Sequence, residues 1–150
     1  MTELYLDDLR VGQRFISGTY ALDEGQVIAF ASEFDPQPFH LDAAAAAGMF
    51  FGGLVASGWH TAAITMRLLV DSEMKPTGDI IGTGFEELRW PKPVRPGDTL
   101  RLESEVVEVS PSRSRPDRGM IKVRSETRNQ RDEVVQVLEA RMMVPRRPPA

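Results

Sequence analysis

The chain has 150 residues, of which 41% are hydrophobic and 27% charged, with a net charge of −4. That composition suits one globular domain, residues 1–150, with a sizeable core. The acidic balance argues against a dedicated nucleic-acid partner, though a local basic patch for an anionic ligand stays open. The chain has no cysteine, which excludes disulfides and thiolate metal sites and fits a reducing, cytoplasmic setting.

The first ten residues, MTELYLDDLR, have no basic stretch followed by an apolar one, so no signal peptide is expected. Residues 12–22, GQRFISGTYAL, mix β-branched and aromatic side chains and predict a strand. Residues 23–34, DEGQVIAFASEF, predict a helix capped by Asp23, with Gln26 completing a capping box. Val27, Phe30, Ala31 and Phe34 share one face of it. The helix should stop at Asp35, because Pro36 follows.

The next stretch, FDPQPFHLD (34–42), is stiff. Pro36 and Pro38 fix φ at alternate positions and push Asp35 and Gln37 toward extended geometry. It carries an acid, Asp35, and one of only two histidines, His40. An acid and an imidazole held on a preorganised loop form a usual kit for general acid–base chemistry. The plainer alternative is that Asp35 caps a helix end and His40 satisfies a backbone group. A short alanine-rich helix is expected over 41–48, ended by Gly48.

Residues 50–73, FFGGLVASGWHTAAITMRLLVDSE, form the apolar centre of the chain. The apolar region 43–70 is interrupted by glycines, Ser57, His60 and Arg67, so it predicts a buried helix and not a membrane span. Ser57 is the N-cap candidate, and a helix from there to Ser72 would be about 24 Å long. It is apolar on most faces, so other structure should wrap it. Its first turn leaves backbone N–H groups unpaired and carries partial positive charge. Gly58 has no side chain to block that N–H, so a carbonyl oxygen or oxyanion placed there would be stabilised. A plain serine-capped helix start is the alternative.

After Pro76 the pattern turns to strands at 79–90, 98–110, 119–130 and 132–144, joined by the turns 91–98, 111–119 and 129–133. Strands in series with short connections predict an antiparallel meander, curved around the long helix: an α+β architecture. The tail PRRPPA (145–150) should fray.

The run Asp35-Pro36-Gln37-Pro38-Phe39-His40-Leu41-Asp42, then alanines, then Gly52-Gly53-Leu54-Val55-Ala56-Ser57-Gly58, resembles the MaoC-like dehydratases, also called (R)-specific enoyl-CoA hydratases. The resemblance covers nearly the whole chain. It implies a hot-dog fold, in which an antiparallel sheet wraps a long central helix. It implies a hydro-lyase that adds water across the 2,3 double bond of a trans-enoyl thioester, or removes it from a 3-hydroxyacyl thioester. By the same resemblance Asp35 and His40 would be the catalytic pair and Gly58 the donor to the thioester oxygen. Ser57, Gly53, Phe39 and Gln37 would line the substrate. Coenzyme A would enter only as part of an acyl-CoA substrate, with no separate cofactor and no metal. The assembly would be a homodimer, or a dimer of two such dimers. Gln37 stands where many hydratases have asparagine, and Met66 where some relatives have a serine.

His60 and Trp59 read as packing residues, and two histidines without a third ligand make no metal-site spacing. Arg113, Arg115 and Arg118 crowd one turn and suit phosphate, as does Arg95, but a solvated hairpin tip has the same composition. Two other functions stay open. A hot-dog thioesterase usually places a carboxylate on the central helix, and residues 57–70 contain no Asp or Glu. A non-catalytic acyl-thioester binding module would leave Asp35 pointing into solvent, far from His40.

Overall fold

The computed structural model of the chain describes residues 4–74 and 81–150. A single 3-10 turn, Leu6–Asp8, precedes strand β1, Arg14–Ala21. Helix α1 spans Glu24–Phe34, and its capping box is formed as expected. Asp23 accepts from the Gln26 N–H, and Gln26 accepts from the Asp23 N–H. Val27 and Ala31 are buried, but Phe34 is 65% exposed, so the predicted apolar face is only half used. Asp35 ends the helix, its own N–H bonded to the Ala31 carbonyl.

Two single helical turns follow, α2 (Pro38–Leu41) and α3 (Ala43–Ala46). The first was expected to be extended loop. Gln37 is indeed extended, but Pro38 sits at the first helical position, where its fixed φ suits a helix and its missing N–H costs nothing. His40 therefore projects from a helical turn. The alanine-rich helix is shorter than predicted and capped by Asp42.

Helix α4, Gly58–Val70, is the long central helix, with Ser57 as its N-cap. Ile64, Leu68 and Leu69 pack into the core against β3 (Thr99–Pro111), β4 (Arg118–Arg128) and β5 (Val134–Pro145). The inner face of these strands alternates as period two requires: Leu100, Leu102 and Val106 on β3, and Ile121 and Val123 on β4. The helix is not wrapped on all sides. Trp59, Met66 and Val70 remain 56%, 48% and 41% exposed along one stripe.

The sheet is five-stranded and antiparallel, in the order β1-β3-β4-β5-β2, where β2 is Ile81–Arg89. Strands β3, β4 and β5 form the expected meander, but β2 does not join it beside β3. It crosses to the other edge and pairs with β5. The connection after β2 carries Pro91, Pro93 and Pro96, which supply no ladder donors and forbid a tight hairpin. Ile81 and Phe85 on this edge strand are 47% and 57% exposed. Residues 79 and 80 of the predicted strand lie outside the described residues.

The tail is held further than expected. Pro145 ends β5, the Arg146 N–H bonds the Asp117 carbonyl, and Arg147 bonds Asp7 and Asp8. Among the described residues no helix is long and apolar enough to cross a membrane.

Candidate active site

The stiff segment and the start of the central helix meet. Asp35 Oδ2 lies 3.2 Å from His40 Nε2 and accepts a 2.7 Å hydrogen bond from the Ser57 hydroxyl. Asp35 Oδ1 accepts from the Gln37 side-chain amide at 2.6 Å. The Asp35 side chain is 18% exposed and that of His40 6%. The carboxylate is therefore largely enclosed yet reachable, and it does not point away into solvent.

His40 Nδ1 lies 2.7 Å from the Val55 carbonyl. A carbonyl only accepts, so Nδ1 carries a proton. The other ring nitrogen, Nε2, faces the Asp35 carboxylate, which accepts a hydrogen bond from it. The Val55 N–H in turn bonds the Phe39 carbonyl, so strand-like pairing locks the α2 turn to the segment entering α4.

Burial raises the Asp35 carboxyl pKa, but the bonds from Gln37 and Ser57 and the His40 ring outweigh it. The group is held below its ordinary value and stays ionised near neutrality.

Ser57 is fully buried. Its oxygen accepts the Trp59 N–H at 3.3 Å while its hydroxyl donates to Asp35. One side chain thus caps the central helix and orients the acid. Gly58 follows, and among the described residues no acceptor takes its N–H. Its Cα lies under the indole of Trp90: a Cβ at this position would meet that ring at 2.6 Å.

A cavity of about 600 Å³ is lined by Phe39, His40, Phe51, Gly58, Thr61, Trp90 and the Pro91–Val94 segment, among others. His40 and the bare helix start therefore share one pocket. Asp35 is not among the lining residues, but its carboxylate lies 3.2 Å from the Nε2 of His40, which is. Gln37 is exposed and acts on Asp35 rather than on the cavity. Gly53 packs near Arg95, whose guanidinium bonds the Phe51 carbonyl.

Of the phosphate candidates, Arg113 and Arg115 belong to the β3–β4 turn and Arg118 opens β4 right after it. That turn lies at the far end of a 13-residue strand from the pocket side, roughly 40 Å along it. Within one chain they do not approach the cavity. Lys92 does, at its rim, ion-paired to Glu133. Lys92 and Trp90 were missed from sequence. The only available signal was their place in a proline-rich connection, which says nothing about where that connection lands.

His60 stacks on Phe30, ring centroids 4.5 Å apart, and points away from the cavity lining. Its Nδ1 is buried and has no partner among the described residues, and burial lowers its pKa.

The MaoC like domain family matches residues 10–129. The crystal structure of the MaoC-like dehydratase from Rhodospirillum rubrum superposes with a TM-score of 0.93 at 55% identity, covering 97% of this chain and 99% of that one. R-hydratase PhaJ1 from Pseudomonas aeruginosa, unliganded, gives 0.76 at 30% identity over 99% and 96% of the two chains. The 3-hydroxybutyryl-CoA dehydratase of Methylorubrum extorquens is 33% identical over 113 residues, 75% of this chain and 69% of its own length. With the family match spanning most of the chain and the hot-dog arrangement shared with these hydratases, the chain belongs to the MaoC-like domain family.

Proposed function

We propose that the protein is a hydro-lyase acting on trans-2-enoyl thioesters or the matching 3-hydroxyacyl thioesters, with coenzyme A as the carrier. The observation that carries this reading is the 3.2 Å approach of Asp35 to His40, tied by Ser57 to the start of the central helix where the Gly58 N–H is bare. The similarity to R-hydratase PhaJ1 and to the 3-hydroxybutyryl-CoA dehydratase supports the reaction class.

In the hydration direction, water adds its oxygen to C3 and a proton reaches C2. His40 and the ionised Asp35 position the water between them, and Asp35 takes its proton. The same pair returns a proton to C2. Negative charge developing on the thioester oxygen is met by the Gly58 N–H and the positive end of α4. Ser57 and Gln37 position Asp35 without touching substrate. Gly53 shapes the approach to the helix, and Phe39 forms part of the pocket wall.

We also propose a homodimer. The exposed stripe Trp59, Met66 and Val70 on α4 lies with exposed Ile81 and Phe85 on the free edge strand β2, an unpaired apolar edge that a second copy would cover. The lack of cysteine supports a cytoplasmic setting.

The test is incubation with crotonyl-CoA while following loss of the conjugated-thioester absorbance, extended to medium and branched enoyl-CoAs. Hydration with one product enantiomer is expected. Silence across the set, or release of free thiol instead, contradicts the proposal.

A further inference from the structure

Thr61 stands three residues past Gly58 on α4, so the two share one face of the helix. In a helix the Cα–Cβ bond tilts toward the N-terminus. The Thr61 side chain therefore leans back over the turn that begins at Gly58, where the glycine leaves the face open. The residue is only 1% exposed, and it lines the cavity that also holds His40 and Gly58. Its N–H bonds the Ser57 carbonyl. Its hydroxyl has no partner among the described residues. Nor is that hydroxyl sealed in the core, as the Nδ1 of His60 is.

Thr65, about one turn further on, gives the contrast. Its hydroxyl pairs with that of Thr127 at 2.6 Å and accepts from the Gln136 amide at 3.0 Å. Buried polar groups are normally satisfied in this way. The Thr61 hydroxyl is free, and it stands among apolar lining groups such as Phe39, Val55 and Trp90. A substrate that displaces water from the cavity leaves this hydroxyl unpaired unless the substrate itself supplies an acceptor. A valine would fill the same volume without that cost.

The reacting part of an enoyl thioester offers one strong acceptor, its carbonyl oxygen. The Gly58 N–H is bare at the same turn of the helix, and preorganised donors aimed at a developing oxyanion lower its energy most in a water-excluded site. We propose that Thr61 is a further catalytic residue: its hydroxyl is the second donor, beside the Gly58 N–H, to the thioester oxygen as negative charge develops there. The hydroxyl donates a hydrogen bond and keeps its proton, so no bond to it forms or breaks while water adds to the double bond. This inference rests on the hydratase reading above.

The experiment measures kcat and KM for the best substrate of the enoyl-CoA set in the wild type, Thr61→Val and Thr61→Ser. Thermal melts establish that each variant is folded. Thr61→Val keeps the shape and removes the donor; Thr61→Ser keeps the donor and removes a methyl group. A donor used in the transition state predicts that Thr61→Val lowers kcat by roughly 10²-fold with KM nearly unchanged. Thr61→Ser should then retain most of the rate. A packing role predicts the reverse order, with valine the better replacement. If Thr61→Val does not fold, Thr61→Ala removes the same hydroxyl and takes its place beside Thr61→Ser. A folded variant without the hydroxyl that keeps the wild-type kcat, or that changes KM alone, overturns the second donor and leaves the hydratase reading standing. A folded wild type silent on every enoyl-CoA of the set overturns both.

Discussion

Replacing Ser57 by alanine isolates the contact on which the geometry of the acid depends. The hydroxyl is fully buried and donates to an ionised carboxylate at 2.7 Å. Hydrogen bonds to charged groups contribute about 1.5–3 kcal/mol. The same oxygen caps α4, but through a long 3.3 Å contact, so that loss is about 1 kcal/mol or less. Ser57→Ala should therefore destabilise the protein by about 2–4 kcal/mol, a drop in Tm of roughly 5–15 °C for a chain of this size. The charged part has a pH signature. The folded-state pKa of Asp35 lies below its ordinary value of 3.8. Stability from this contact is thus complete above that value and disappears as pH falls through the lower folded one. The assay is a double-mutant cycle by urea denaturation over wild type, Ser57→Ala, Asp35→Ala and the double variant, at neutral pH and again near pH 3. A coupling energy of about 1.5–3 kcal/mol at neutral pH, shrinking in acid, is expected. A cost of Ser57→Ala that is the same with and without Asp35 would refute the reasoning, because the serine would then be a cap alone.

Asp35→Asn and His40→Ala should each lower kcat by about 10²–10⁴-fold while far-UV circular dichroism stays at wild type; substantial activity in either variant removes that residue from the chemistry. His60 is buried with its pKa lowered from 6.5, so the folded state resists its protonation and stability should decline as pH drops from about 7 toward 5. His60→Phe, which keeps a ring against Phe30, should flatten that decline in Tm; an unchanged slope would assign it elsewhere. Phe85→Glu on the free edge of β2 should convert a dimer to a monomer in sedimentation velocity, and a wild type that sediments as a monomer would contradict the assembly.

The parts of the fold that were legible in the sequence are the ones governed by neighbours in the chain. The Asp23–Gln26 capping box, the stop before Pro36 and the Ser57 cap of α4 all rest on residues within four positions of each other. What escaped was set by distant partners. The pairing of β2 with β5 joins residues more than 45 positions apart, and period-two alternation says which face is buried but not which strand lies alongside. The single turn at Pro38–Leu41 was masked because a proline favours extended geometry before it and helical geometry after it. Within the site, Asp35 and His40 could be named because they share one short segment. The bond from Ser57 spans 22 positions and the approach of Trp90 to Gly58 spans 32, and neither leaves a local trace.

The central claim is that the acid–histidine pair and the bare amide at the tip of α4 act on one thioester. A crystal structure of the Asp35→Asn variant soaked with crotonyl-CoA tests it most directly. The account predicts the thioester oxygen about 2.7–3.1 Å from the Gly58 nitrogen, with C2 and C3 beside the His40 ring and the substituted side chain. An acyl group bound with its carbonyl away from Gly58, on a surface that His40 does not reach, would contradict it.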